Sequence, residues 1–335
     1  MIDNLFRFND NYINRSNAPD RVRRGHGGDP FDGIKNAVIS LGNFDGMHLG
    51  HMKLIDILTK RASALGAPAL VYTFHEHPRN VLGGINSVKL LTDAVKKREL
   101  LCSTAVDGFY IERFDTAFAS QTPETFINQV LVKKFGARLV VVGIDFRFGN
   151  RGSGDVRLLK EFGKKNGFDV EEVPPLTADA ADKDSNGIIS SSGIRALIAS
   201  GQVERAGALL GRLFSLKCWI SAYRAAGDAM DATAAVMYPD IHMAAPDPGV
   251  YITSAYAGGV LYRGFAEVNA GIGDMKSVTA VKNYFLGFHG DLHETEIEIF
   301  FYKKLDGVAT AANGEFSDNQ SVGYADAVGR YFNSP

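Results

Sequence analysis

The residues best suited to chemistry stand in one short string, Gly42-Asn43-Phe44-Asp45-Gly46-Met47-His48-Leu49-Gly50-His51. An apolar run over 36–42 leads into it, and a helical pattern over 49–65, with Leu54, Ile55, Leu58 and Ala62 on one face, leads out. Glycine lets backbone N–H groups approach a ligand closely. The start of a helix presents unbonded N–H donors and the positive end of its dipole to an anion. His48 and His51 are three residues apart, so on a helical start they point the same way. Two imidazoles beside bare N–H groups suit a triphosphate, because they can donate to its oxygens while charge builds on a leaving pyrophosphate. Two histidines at this spacing say little alone. Their place between a strand, a glycine turn and a helix separates them from a chance surface pair.

Two other strings hold chemistry-bearing types. Ser190-Ser191-Ser192 precedes an amphipathic helical pattern, and Arg195 follows one turn later. The hydroxyls and N–H groups suit either an ordinary helix cap or a phosphate, and Arg195 offers a planar fork for the same oxygens. Asp145-Phe146-Arg147-Phe148-Gly149 follows the apolar run 139–143. Its aromatics suit stacking on a planar ring, or core packing for one of them. The glycine-rich stretch 149–154 does not have the GxGxxG spacing and reads as a loop.

These strings need elements to position them. Strand patterns at 36–42, 69–74, 107–111, 139–143 and 170–173 alternate with helical patterns at 49–65, 92–103, 123–135 and 155–166. Such alternation predicts a parallel α/β sheet covered on both faces, with ligands beyond the carboxyl ends of its strands. The candidate residues follow strand ends, as that rule requires. After about residue 214 the patterns at 251–256, 259–268 and 294–302 are β-rich, and 322–332 reads as a last helix. A second, mostly antiparallel β domain is expected there, its boundary near 213–218. A length of 335 residues suits two domains. The composition, 45% hydrophobic and 22% charged, is that of a soluble globular chain. A net charge of −2 supplies no global field for nucleic acid, so a nucleotide must be gripped locally. Two distant cysteines, Cys102 and Cys218, speak for a reducing, cytoplasmic setting rather than a disulfide scaffold or zinc site. The first residues lack the apolar core of a signal peptide, and no stretch reaches the ~18 apolar residues of a membrane span. The basic, glycine-rich segment 21–28 reads as a loop. The sequence sets no oligomeric state.

The string at 42–51 resembles the HxGH signature of the nucleotidylyltransferase superfamily and, within it, the FAD synthetase module of the bacterial bifunctional riboflavin kinase/FAD synthetase family. Thr73-Phe74-His75-Glu76-His77-Pro78-Arg79 is similar to that family's TFxxHPR element. Phe126 and Leu131 match its FxxxxL helix, and Val142-Gly143-Ile144-Asp145-Phe146-Arg147-Phe148-Gly149 its VGxDFRFG element, with Gly154-Asp155 following. Ser190-Ser191-Ser192-Gly193-Ile194-Arg195 resembles its SSTxIR element; Gly201 and Leu210-Gly211-Arg212 close the module. His75-Glu76, Ile144 and Ser192 depart from the usual residues, and Ser192 keeps the hydroxyl. The resemblance implies a nucleotidylyltransferase-type parallel sheet flanked by helices over 35–214, after an extension at 1–34, and a smaller riboflavin-kinase-like β-barrel over 218–335. It implies transfer of AMP from ATP to FMN, giving FAD and pyrophosphate with Mg²⁺ on the triphosphate. His48, His51, Ser191 and Arg195 would be catalytic. Gly42, Asn43, Phe44, Asp45, Gly46, Gly50, Ser190 and Ser192 would bind ATP, and His77, Pro78, Arg79, Asp145, Phe146 and Phe148 the flavin.

The second module resembles its family counterpart less. Pro248-Gly249-Val250-Tyr251 and Gly290-Asp291-Leu292 are similar to the PGVY and GDLYG landmarks. The family's loop GRxLGFPTAN aligns with residues 226–235, where Ala235 stands for a metal-binding Asn, and Lys282 takes the position of the catalytic Glu. A lysine does not serve as that base at neutral pH. The expected function is therefore FAD synthesis without riboflavin phosphorylation. A bifunctional enzyme, a nucleotidyltransferase for another small molecule and a flavin-binding protein with little catalysis stand as alternatives.

Overall fold

The structure, a computed structural model, describes residues 12–14, 34–84, 87–178, 187–225, 231–270, 279–292, 296–305 and 318–333. The basic segment 21–28 and residues 226–230 of the second module's loop lie outside the described residues. The chain divides into two compact units, Met1–Ile189 and Ser190–Pro335.

The first unit is a sheet of strands β1 (Tyr12–Asn14), β2 (Ala37–Leu41), β3 (Ala69–Phe74), β4 (Gly108–Glu112), β5 (Ala137–Gly143) and β6 (Asp169–Val173), in the order β1-β4-β3-β2-β5-β6. Strands β2 to β6 are parallel, and β1 adds an antiparallel edge to β4. Alternate residues of the central strands feed two cores. Ile39, Leu70, Tyr72, Val140 and Val142 face one layer, while Val38, Val71, Leu139 and Val141 face the other. Period-2 packing into two buried faces explains why these strands read as unbroken apolar runs.

Helices α1 (Leu49–Leu65) and α3 (Ala94–Cys102) cover the second face. On the first lie α6 (Val156–Asn166) and α5 (Pro123–Phe126), which continues as a π-helical stretch, Ile127–Lys134. There the Phe135 N–H donates to the Val130 carbonyl five residues back. The sequence pattern predicts an uninterrupted α-helix over 123–135, because a widened turn leaves the apolar spacing nearly unchanged. Two short helices, α2 (Pro78–Leu82) and α4 (Thr116–Ala119), follow the ends of β3 and β4. Asp93, Asp115, Thr122 and Asp155 cap helix starts with their side chains, and Gly66 and Gly167 end helices in the left-handed conformation.

In the second unit, α7 (Ser191–Ala199) and α8 (Val203–Leu210) precede a closed antiparallel barrel of β7 (Phe214–Ala225), β8 (Ala232–Pro239), β9 (Gly249–Ala257), β10 (Val260–Ala270), β11 (Thr279–Leu286) and β12 (Glu296–Lys304). The barrel order is β10-β11-β8-β7-β12-β9, and α8 packs on β7 and β12. A last helix, α9 (Asp318–Asn333), covers a patch formed by Ala232, Ala234, Val250, Ile252, Phe265 and Tyr284. Closure removes the unpaired edges that an open sheet would expose. The fold class is the one expected: a helix-flanked parallel sheet followed by an antiparallel barrel.

The barrel is closely built where β10 meets β11. A Cβ on Gly264 would run into the backbone carbonyl oxygen of Tyr284. Gly264→Ala should destabilise the barrel by about 3 kcal/mol or more, the range of severe backbone clashes. Trp219 on β7, the chain's single tryptophan, gives the fluorescence signal for denaturant unfolding of this unit.

Candidate active site

Strand β2 ends at Gly42, whose N–H donates to the Tyr72 carbonyl (3.2 Å), and the chain then turns sharply. Phe44 (φ 49°), Gly46 (φ 83°) and Met47 (φ 41°) take left-handed backbone conformations. Such values are strained for phenylalanine and methionine. The strain is held by burial, since both side chains lie in the core between the sheet and α1. A Cβ on Gly42 would stand 3.1 Å from the Phe44 ring, so the glycine leaves room for that aromatic. Phe44 thus enters the core, with its ring 5.1 Å from that of His51.

His48 caps α1: its Nδ1 accepts from the His51 backbone N–H at 3.3 Å. An accepting Nδ1 puts the proton of the neutral ring on Nε2. The rings of His48 and His51 stack, with centroids 3.7 Å apart and planes 16° from parallel. Gly50 makes this possible, because a Cβ there would stand 3.1 Å from the His48 ring. Nδ1 of His51 is buried without a hydrogen-bond partner among the described residues. Burial, the adjoining His48 and the Lys97 ammonium together hold the His51 imidazole well below its ordinary value. His51 is therefore neutral at physiological pH. No acidic side chain occupies the first turn of α1, so no carboxylate there offsets the positive end of its dipole.

The turn is held from beneath. The Asp45 carboxylate, 3% exposed, accepts from the N–H groups of Leu91 and Thr92, both at 3.0 Å, and from the Thr92 hydroxyl at 3.3 Å. Thr92 Oγ1 in turn accepts from Gly46 N–H (3.0 Å). Thr73 donates its hydroxyl proton to the Asn43 carbonyl (3.0 Å). Lys97 on α3, a residue the sequence reading passed over, is 6% exposed and donates to the Phe74 carbonyl at the end of β3 (2.7 Å). Burial lowers its ammonium to about 8, against the pull of Asp45 and Glu76. Its signal in the sequence is position: Lys97 lies four residues before the buried Leu101, on the same helix face.

The other candidates of this unit follow β3 and β5. His77 caps α2, its Nδ1 accepting from Arg79 N–H (3.2 Å); Pro78 takes the first helical position, and Arg79 is exposed. Asp145 is exposed in the turn after β5. Phe146 and Phe148 stack with centroids 5.6 Å apart. Phe148 is buried against Phe126 (5.7 Å), while Phe146 keeps part of its surface open. Phe74, Phe114 and Phe118 extend this aromatic group with edge contacts of 5.1 to 5.6 Å. Sequence reasoning did not single out Phe114 or Phe118.

Ser190–Arg195 belongs to the second unit. Ser190 caps α7, its hydroxyl accepting from Gly193 N–H (3.2 Å) and lying 3.1 Å from that of Ser192. Ser191 opens the helix, and Arg195 is half-buried one turn on. In the barrel, Ala235 of β8 is buried opposite Asn283 of β11. Lys282 stands opposite Val236 on one side and Glu267 on the other, its ammonium 5.3 Å from the Tyr284 ring centroid.

A family model described as FAD synthetase matches residues 32–187. The chain is 30% identical over 306 residues to a bifunctional riboflavin kinase/FMN adenylyltransferase of Buchnera aphidicola, covering 89% of this chain and 95% of that one. It is 32% identical over 271 residues to the protein of the same description from Listeria monocytogenes, covering 80% and 83%, and 28% identical over 277 residues to that of Escherichia coli K12, covering 81% and 85%. A crystal structure described as a macrolide-efflux protein from Streptococcus pneumoniae superposes with a TM-score of 0.76 at 24% identity, over 91% of this chain and 97% of that one. At that identity the likeness concerns the fold.

The depressed His51 gives stability a definite sign with pH. Below about 6.5, the ordinary histidine value, the unfolded chain takes up a proton that the folded imidazole refuses. Stability should therefore fall as pH drops from about 6.5 toward the native value of His51, by up to ~1.4 kcal/mol per pH unit. His51→Gln should remove this part of the slope, as read from denaturant midpoints of both proteins at neutral pH and at about pH 5.

Proposed function

The chain belongs to the bifunctional riboflavin kinase/FMN adenylyltransferase family, and from that premise we propose that it transfers AMP from ATP to FMN and does not phosphorylate riboflavin. The observation that carries this reading is the stacked imidazole pair at the start of α1, held behind a strained glycine turn. A phosphate oxygen of FMN attacks the α-phosphorus of ATP in line, a new P–O–P bond forms, and the bond to pyrophosphate breaks. Little covalent work falls to the protein; positioning and charge stabilisation supply the rate.

His48 presents Nε2–H to the polyphosphate, and the neutral His51 stands beside it with the N–H groups of the first α1 turn. Ser191 and Arg195 are assigned to phosphate oxygens, with Ser190 and Ser192 ordering the start of α7. Gly42, Gly46 and Gly50 let the backbone and the His48 ring take their places, while Asn43, Phe44 and Asp45 build the turn from below. Phe146 offers the flavin or adenine a face, backed by Phe148, with Asp145 beside it after β5 and His77, Pro78 and Arg79 after β3, on the other side of β2. The adenylyl-transfer module is assigned to 35–214. Mg²⁺ would bind chiefly through substrate oxygens and water. Asp45 fits a ligand role poorly, because its oxygens are already engaged by Leu91 and Thr92. When bound, the ion would neutralise charge on the triphosphate.

Loss of kinase activity rests on Ala235 and Lys282. An alanine offers a metal nothing, and an ammonium opposite Glu267 and over the Tyr284 ring is poorly suited to take a proton from a hydroxyl. The site takes small nucleotides and flavins, and two free cysteines fit a reducing cytoplasm.

Purified protein with ATP, Mg²⁺ and either FMN or riboflavin, followed by chromatography of the flavins, tests both halves. FAD should form from FMN, and nothing from riboflavin. FMN or FAD from riboflavin would restore the bifunctional reading, and no product from FMN would overturn adenylyl transfer. His51→Ala should reduce FAD formation by about 10²- to 10³-fold, the scale of losing one stabilising donor, with the folded circular dichroism spectrum retained.

A further inference from the structure

Helices α7 and α8 fall within the stretch assigned to adenylyl transfer, yet they belong to the compact unit of the barrel. With nine and eight residues, they are too short to persist without tertiary packing. Their apolar faces are buried: Ile194, Leu197 and Ile198 on α7, and Val203, Ala206 and Leu210 on α8. Helix α8 packs on α7, β7 and β12. Whatever fixes this helix pair to the barrel therefore also fixes the start of α7, where Ser191 and Arg195 stand.

A polar knot centred on Asp247, in the loop before β9, joins the two. The Asp247 backbone N–H donates to the Ile198 carbonyl in the last turn of α7 (3.3 Å). Its own carbonyl accepts from the hydroxyl of Tyr251 on β9, and its carboxylate accepts from the ammonium of Lys304 at the end of β12 (2.8 Å). Tyr251 is fully buried, so its hydroxyl needs such an acceptor. The ion pair is partly exposed, with 27% of the Lys304 side chain and 47% of that of Asp247 open to solvent, and its charge attraction alone is weak. Steric fit makes the knot specific. Gly201, just after α7, is left-handed (φ 76°), and a Cβ there would stand 2.9 Å from both the Tyr251 hydroxyl oxygen and the Lys304 nitrogen. The barrel side chains thus fill the space that a side chain at 201 would take.

Resting on the adenylyl-transfer reading, we propose that the barrel serves as the mount of α7, with Tyr251 and Lys304 as positioning residues that act through Asp247 and Gly201 to hold Ser191 and Arg195 ready for a polyphosphate. The effect is preorganisation. A loosened α7 presents Ser191 and Arg195 correctly for only a fraction of the time, and apparent affinity falls by that fraction. No contact of Tyr251 or Lys304 with the reacting atoms is required. The barrel thereby has a part in adenylyl transfer that calls on neither Ala235 nor Lys282, and that holds whether or not riboflavin is phosphorylated.

The test uses the full chain. The double variant Tyr251→Phe/Lys304→Met removes the hydroxyl and the ammonium while keeping the ring and the stem, and Gly201→Ala crowds the knot from the helix side. Thr253→Val is the control, since it removes the bond from Thr253 to Asn283 (2.7 Å), both buried in the barrel, and leaves the knot intact. The readouts are hydrogen exchange of α7 and of the barrel strands, the unfolding midpoint from Trp219 fluorescence, and kcat and KM for FAD formation. In the double variant and in Gly201→Ala, α7 should exchange about tenfold faster or more with β10 and β11 unchanged. In both, KM for ATP should rise about fivefold or more with kcat within about threefold. Thr253→Val should lower the unfolding midpoint and leave KM for ATP unchanged. A fall in kcat alone would report a smaller folded fraction, and an equal rise of KM in Thr253→Val would report general loosening of the barrel; either overturns the proposal. Failure of both knot variants to fold would make the knot structural only, which also overturns it. Wild-type protein that makes no FAD would overturn the adenylyl-transfer reading and the role given to α7 with it, whereas an active wild type whose double variant keeps its KM for ATP overturns the mount alone.

Discussion

The Asp45 carboxylate, buried under the glycine turn and bonded to Leu91, Thr92 and, through Thr92, to Gly46, is the constraint on which the site depends. A turn with left-handed Phe44 and Met47 does not hold itself, since each such residue prefers other backbone angles. Two apolar side chains anchored in the core and one carboxylate bonded from below over-determine its path. Given that path, α1 begins at His48, Gly50 clears room for the His48 ring, and His51 stacks upon it. Without the weld the turn beneath the imidazoles would lose the bonds from Leu91 and Thr92 that fix its path.

The electrostatics follow from the same burial. One stacked imidazole shielded from water beside an ammonium and a helix N-terminus stays neutral, because each neighbour disfavours a further positive charge. In the proposed reaction an anion would meet oriented N–H dipoles and the neutral His51 ring, which need no reorganisation as charge develops on it. The barrel depends on a different constraint, closure through six antiparallel ladders. The ladder bonds are made by the backbone, so closure leaves the side chains free to vary, as with the alanines of β8 and Lys282 of β11.

Legibility varied from element to element. Helix α1 and strand β3 coincide with their sequence patterns, because a single-faced helix and a doubly buried strand each leave a clean period. The barrel strands β9, β10 and β12 were readable from alternation and turns. Strands β7, β8 and β11 were not: β8 is rich in alanine, and β11 places Lys282 and Asn283 amid its apolar residues. Their strand character comes from ladder partners distant in sequence, which local propensity does not record. The π-helical stretch after α5 was invisible for the converse reason, since a one-residue widening barely alters the apolar spacing.

The sequence alone determined the α/β-then-barrel order, the family resemblance and the identity of the string from Gly42 to His51, because periodicity and residue type are local properties of the chain. Only the tertiary structure decided that Asp45 faces inward to Leu91 and Thr92, that Phe44 and Phe148 are buried in the core, and that His48 and His51 stack. It alone brought Lys97, 46 residues along the chain from His51, into electrostatic reach of it. Burial and the field of distant charges are set by which segments fold against one another, and no window of sequence contains both partners.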